Sequence, residues 1–214
     1  MNYGELKAAL RAEVNRKDIT DALAAGFITR AQDRLERWPQ VDPLKMAPRP
    51  SFMQKFLSFS IDPESVTPGV FTVPTDFIEL INLYSGTVEL ERVDMSKLIR
   101  TSEENVGTSR YFVQTGSQIR MRPYPLADTV FYLHYYGCEA PLVEDEDINA
   151  WSVTGVDALL YGAAENACRH YEDERLDSYK VDFLRALGDM QDQSLSEDFS
   201  GPMTIQPAYL FDCD

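Results

Sequence analysis

The sequence predicts an α+β fold that is mainly helical: an N-terminal helical hairpin and a C-terminal helix pair packed as a bundle, a β-rich middle insertion, and an extended C-terminal arm. Three observations lead there. Apolar residues recur at three-to-four spacing near both ends. The middle changes to short β-branched and aromatic runs separated by Pro, Gly, Ser and Asp. The last stretch, "SGPMTIQPAYLFDCD", combines two prolines and a glycine with five large apolar side chains. The expected divisions are residues 1–50, 51–142, 143–198 and 199–214. With 214 residues, 44% hydrophobic and 11% aromatic, the chain has the material for a real core and for one domain, or a domain plus an appendage.

In the first division Leu6, Leu10 and Val14, then Leu23, Phe27, Ile28, Ala31 and Leu35, mark two amphipathic helices divided near Lys17-Asp18-Ile19-Thr20. Thr20 or Asp18 is placed to cap the second, which ends at Trp38-Pro39 because proline cannot donate the next helical hydrogen bond. The runs "FMQKFLSFSI", "VFTV", "FIELINLY", "VELERV", "RYFVQ", "QIRMR" and "TVFYLHYYGC" predict five to seven strands, with a short helix at "MSKLIRTS" (95–102) between two of them. In the strongest strand, 130–136, Val130, Tyr132 and His134 alternate with Phe131, Leu133 and Tyr135, which suits a central or covered position. After the acidic loop "EDEDIN" (144–149), helices are expected at about 154–174 and 176–193. Their apolar stripes are Leu160, Ala164, Ala167, Tyr171 and Tyr179, Phe183, Leu187, Met190.

The formal charge of -15 is unevenly placed: residues 139–214 carry 4 Lys+Arg against 18 Asp+Glu, and residues 1–138 carry 16 against 17. An acidic surface opposes polyanions, since nucleic-acid affinity comes largely from cations that neutralise phosphates and release counterions. Three cysteines at unrelated spacings suggest no disulfide framework and fit a reducing cytosol. Glu5, Lys7, Arg11, Glu13 and Asp21 interrupt any signal-peptide apolar core, and no apolar run reaches membrane-spanning length, so a soluble product with no membrane association is expected.

Catalytic constellations are sparse. Cys168, His170 and Asp173 or Glu174 in "CRHYEDE" are conceivable metal ligands, but helix residues two apart point about 200° from each other, so Cys168 and His170 cannot grip one ion. His134 inside the aromatic strand reads as a hydrogen-bonded core residue. Glu144 to Asp147 lack the alternating ligands of a calcium loop. No phosphate-cradling Gly loop, nucleophile elbow or Cys-x-x-Cys pair occurs. No catalytic, cofactor-binding or metal residue is therefore assigned, and neither a cofactor nor an enzymatic activity is expected. Arg30, Arg34 and Arg37 line one face of the second helix. They form either a solvated face or a positive stripe that meets the acidic C-terminal helices of a neighbouring copy, a heterologous contact that closes into a ring.

Three stretches, "VPTDFIELINLY" (73–84), "SRYFVQTGSQIRMRPYPLADTVFYLHYYGCEAPL" (109–142) and "DALLYGAAENACRHYEDE" (157–174), give the chain its resemblance to the head-to-tail adaptor proteins of tailed bacteriophages. They are similar, in order and spacing, to that family's Leu/Val-Pro-x-Asp-Phe strand entry, its Tyr, Pro-x-Pro and Tyr-Tyr strand series, and its Asp-x-Leu-Leu-Tyr-Gly-x-x-x-Glu-Ala helix. Two places depart from the pattern: Asn149-Ala150-Trp151 stands where Asn-Trp-Leu is common, and Ala163-Ala164-Glu165-Asn166 where Leu-x-Glu-Ala is.

The resemblance implies a non-enzymatic virion protein, made in the host bacterial cytoplasm and located in the virion neck. There it forms a ring, usually of twelve copies, beneath the portal once DNA is packaged, and carries the tail or the next connector. It implies a C-terminal arm that docks on the portal protein, here through Met203, Ile205, Tyr209, Leu210 and Phe211. It also gives Glu165, Glu172, Asp173, Glu174 and Asp177 two readings. They line a channel through which DNA slides without specific binding, where screening over about 8 Å leaves close-range repulsion, or they face outward and solubilise. The competing readings are a tail-tube or tail-completion ring protein, a small acidic metal-dependent hydrolase, and a host-directed binding module.

Overall fold

A computed structural model describes residues 1–44, 46–61, 69–101, 106–126 and 128–199. Two compact units result: Met1–Ser51 joined by the chain from Ala140 onward, and Phe52–Glu139.

The helical unit begins with α1 (Tyr3–Val14). Asn2 and Glu5 form a capping box at its start, and Tyr3, Leu6, Leu10 and Val14 form its buried stripe. In α2 (Asp21–Glu36) the cap is Thr20, whose hydroxyl accepts from the Leu23 N–H at 3.3 Å. Asp18 pairs with Arg16 instead.

The chain returns through α4 (Ala150–Val153), a single turn boxed by Asn149 and Ser152, into α5 (Val156–His170) and the 24-residue α6 (Leu176–Phe199). The first late helix is thus broken at Thr154-Gly155. The buried face of α5 also differs from the expected stripe: Leu159, not Leu160, is fully buried, together with Ala158, Gly162, Ala163, Ala164 and Ala167. The reason is that α5 packs against α1, α2 and α6 at once, so its apolar face must be wide and its side chains small. A Cβ on Gly162 would lie 3.1 Å from the Phe183 ring and 3.2 Å from the Ala31 methyl.

The other unit holds two four-stranded sheets. The first joins β1 (Gln54–Ser60), β8 (Val130–Gly137), β3 (Phe77–Ser85) and β4 (Val88–Glu89) in that order. The second joins β2 (Val70–Thr72), β7 (Gln118–Arg122), β6 (Tyr111–Thr115) and β5 (Glu91–Arg92). A short α3 (Met95–Arg100), capped by Asp94, links β5 to β6. Strand β8 is central. It pairs with β1 over seven residues without a register break, and its Phe131, Leu133 and Tyr135 point into a core shared with Leu83, Leu90, Phe112, Ile119 and Met121.

The structure corrects the mainly helical expectation: the chain is α+β with 42% helix and 23% strand, and the strand-rich middle is not a minor insertion. The physical reason is that two sheets facing each other enclose a core of their own. The run "VELERV" alone supplies two strands. Val88–Glu89 pairs antiparallel with β3, Glu91–Arg92 pairs parallel with β6, and between them Leu90 is buried with its N–H donating to the Leu83 carbonyl at 2.8 Å.

Candidate functional site

The charged residues singled out by sequence sort into a buried set and a free set. Glu165 projects from the small-residue face of α5 and is 1% exposed. Its carboxylate accepts from Arg34 at 2.5 Å and from Arg169, one turn on, at 2.7 Å. The Arg34 guanidinium also lies 4.0 Å from the centroid of the Phe183 ring. Two expectations are corrected together. Glu165 is not a channel or surface carboxylate, because small neighbours let α2 close over it. Arg34 is not a free member of a positive stripe, because it neutralises that buried charge. Arg30 and Arg37 remain exposed, and Arg37 donates to the Asp33 carbonyl on its own helix.

The turn from α5 to α6 is organised by Asp173 and Arg175. Asp173 accepts from the Arg175 backbone N–H and Nε at 3.0 Å each and from Nη2 at 2.9 Å, and the same Nη2 donates to the Val14 carbonyl at 2.7 Å. The Arg175 hydrogen bonds pull the Asp173 carboxyl down to about 2. Asp173 is therefore a turn clamp rather than an open charge. Glu172, in the left-handed region at φ 52, together with Glu174 and Asp177, is exposed, with no ion pair among the described residues.

The acidic loop has a task that sequence did not reveal. The N–H groups of Tyr3 and Gly4 donate to the carbonyls of Asp147 and Asp145 at 3.0 and 2.8 Å, and Lys7 pairs with the Asp145 carboxylate. Asp147 turns inward to accept from the Val143 and Glu144 N–H groups at 2.8 Å each, which lowers its pKa. Negative charge thus sits at the positive end of α1.

Catalytic and metal candidates stay apart. Cys168 is buried and its thiol is pushed up by desolvation. His170 packs on Phe27 and Tyr171, with ring centroids at 5.6 and 4.8 Å. His134 lies half-buried beside Phe56 on the outer face of the first sheet. Among the described residues no group of three or more His, Cys, Asp and Glu is placed to hold a metal ion, and no helix is long and apolar enough to cross a membrane. The arm residues Met203, Ile205, Tyr209, Leu210 and Phe211 lie outside the described residues.

A loop that sequence did not flag presents the most exposed apolar side chains. Between α2 and the second unit, the chain from Pro39 to Pro50 is tied at its neck. Trp38 Nε1 and Gln40 Nε2 both donate to the Ala47 carbonyl at 3.1 Å, Ala47 N–H donates to Gln40 Oε1 at 3.0 Å, and buried Gln191 of α6 bonds the Pro39 carbonyl and Val41 N–H. Beyond that neck Leu44 is 93% and Met46 84% exposed. The available signal was two large apolar residues among Pro43, Pro48 and Pro50, where no amphipathic element can hide them. In the same unit α4, α5 and α6 line an open, largely polar hollow of about 510 Å³.

A family model described as the SU10 adaptor protein matches residues 1–206. No curated protein matches the sequence.

Proposed function

Because the chain belongs to the SU10 adaptor protein family, a phage head-to-tail adaptor family, we propose that it is a structural, non-enzymatic virion protein of the neck, assembling as a ring beneath the portal and receiving the tail or the next connector. The observation that carries this reading is the family match over nearly the whole chain. About twelve copies and passage of DNA without specific binding belong to the same proposal.

Two features fit it. Glu172, Glu174 and Asp177 are exposed on the α5–α6 turn and the start of α6, with no ion pair among the described residues. Repeated around a ring, they form an acidic band that resists DNA at close range. The segment 201–214 is proposed as the portal-binding arm, its apolar side chains entering pockets of another chain. Multiplication around the ring makes weak arms collectively strong.

Phage particles lacking this protein test the proposal. The expected outcome is DNA-filled heads without tails, and cryo-EM of wild-type particles shows this chain as a ring between portal and tail. Tailed, infectious particles without it overturn the reading. Deleting residues 201–214 is expected to leave soluble, folded protein that no longer co-purifies with portal.

A further inference from the structure

We propose that copies of this chain join edge to edge through the first sheet, strand β1 of one copy pairing in parallel with the open side of β3 in the next. This deepens the ring reading above and rests on it.

Both edges are unfinished. Strand β1 ends the sheet on one side: its seven residues pair only with β8, so alternate residues turn their backbone N–H and C=O groups away from the ladder. The devices that protect natural edge strands are missing from it. Its register with β8 runs without a bulge, it holds no proline, and its one charge, Lys55, is turned to the Asp76 carboxylate at 2.8 Å. On the other side β4 covers β3 only at Tyr84 and Ser85, and the Leu90 N–H takes the Leu83 carbonyl. Along residues 77–82 no described strand pairs with β3 on that side, and Leu80, Ile81 and Asn82 border an open hollow of about 470 Å³.

The core stops short at the same two places. Leu57 and Phe59 stand opposite the buried Leu133 and Phe131, and Leu80 stands opposite the buried Tyr135, yet these three edge residues are only half-buried. One more strand at either edge takes them out of water. On the outer face Phe56 stacks on Tyr132 with ring centroids 5.7 Å apart and is still 66% exposed. An incoming strand gains an aromatic neighbour there.

Strand direction identifies the occupant as a second copy. Strands β1 and β3 both run antiparallel to β8 and are therefore parallel to each other. A neighbour generated by rotation about a ring axis brings its β1 to β3 with that direction nearly kept: for about twelve copies the rotation is about 30°, within the ordinary range of strand-to-strand twist. Each copy thus carries both halves of one heterologous contact, and repetition around the ring leaves neither edge free. A two-fold pairing of β1 with β1 satisfies one edge and leaves both β3 edges open.

The test measures hydrogen exchange, by mass spectrometry, of the full chain in dilute purified form and in assembled virions. Amides within 54–60 and 77–82 are expected to slow by about tenfold or more in the virion. In parallel, the photo-reactive residue p-benzoylphenylalanine replaces Phe56, whose exposed side chain can be changed without opening the core, and virions are irradiated. The expected link is to residues 77–84 of another copy. Phe56→Lys/Ser58→Lys, which adds the charges that blunt natural edges, is expected to weaken self-association by about tenfold while leaving the melting temperature of the dilute protein unchanged. Exchange at 54–60 that is as fast in virions as in dilute protein overturns the strand pairing and leaves the ring. Links from position 56 to 54–60 of another copy, or to a different phage protein, overturn it in favour of that occupant. Virions that hold this chain as isolated copies overturn the ring itself.

Discussion

The two units bury different things. In the sheet unit the core is Leu, Ile, Met and aromatic, with only Ser85 and Ser109 as buried polar residues among those described. In the helical unit Gln32, Glu36, Asn149, Ser152, Glu165, Gln191 and Ser194 are all buried. Four of these are connected in a chain: Gln32 donates to Glu36 at 2.9 Å, Asn149 donates to Gln32 at 3.1 Å and to the Ala140 carbonyl at 2.9 Å, and the Ser152 N–H donates to Asn149 at 2.9 Å. Strands already have their relative register fixed by ladder hydrogen bonds, so their core needs only apolar volume. Helices have no ladder between them, and an apolar face alone lets one slide or rotate on the next. Buried pairs such as Arg34–Glu165 supply the missing register, and their specificity costs some of the stability that apolar packing contributes.

The largest effect is expected where volume alone is at stake. Phe131→Ala, at a fully buried position of β8, should cost about 3–5 kcal/mol in urea unfolding; a loss below about 1 kcal/mol would mean that the sheet core repacks and is not held by this ring. Next comes Arg34→Met. It leaves the buried Glu165 carboxylate with Arg169 alone, and should cost roughly 2–3 kcal/mol, below the usual range for a broken buried pair because Arg34 is itself one-third exposed. The double variant Arg34→Met/Glu165→Leu should recover most of that loss. Its recovered stability, together with any change in the helix packing seen by NMR, separates register from energy, and failure to recover removes the comparison's basis. Asn149→Ala should cost about 1–2 kcal/mol by removing a cap and orphaning its partners.

The smallest effect is at Asp173. Its folded pKa of about 2 lies below its ordinary value of 3.8, so its contribution is present above about pH 4 and is lost as pH falls toward about 2. Asp173→Asn should lower thermal stability slightly at neutral pH, leave it unchanged near pH 2, and so flatten the acid limb between those values. An unchanged acid limb would show that the α5–α6 turn is held without this clamp.

Much of the fold was legible because it depends on local periodicity. The stripes Leu6-Leu10-Val14 and Phe27-Ile28-Ala31-Leu35, the short helix after Asp94, and the alternation of Val130 to Tyr136 each follow from spacing alone. What could not be read depends on partners distant in sequence. Glu165 looks like a surface acid until Arg34, 131 residues away, is seen beside it. Its setting in "GAAENAC" is the one available hint, since uniformly small neighbours mean that another helix comes close. The five strand-to-seven strand expectation fell short because Leu90 carries the chain from one sheet to the other within a single run, a crossing that composition does not mark. Leu44 and Met46 carry no periodic signal, because apolar residues in a Pro-rich segment have no stripe to join.

The helical unit is interrupted in sequence: its first part ends at Ser51 and its second begins at Ala140. On a ribosome adding about 5–20 residues per second, α2 emerges and then waits roughly 6–27 seconds before α5 exists to cover Phe27, Ile28 and Leu35. The sheet unit, continuous from Phe52 to Glu139, is complete first. During synthesis the earliest-made helices are therefore the last to be buried. Chaperone demand should concentrate on that interval, and a premature stop anywhere before α5 should yield a nascent chain whose front end is sticky even when its sheets are sound.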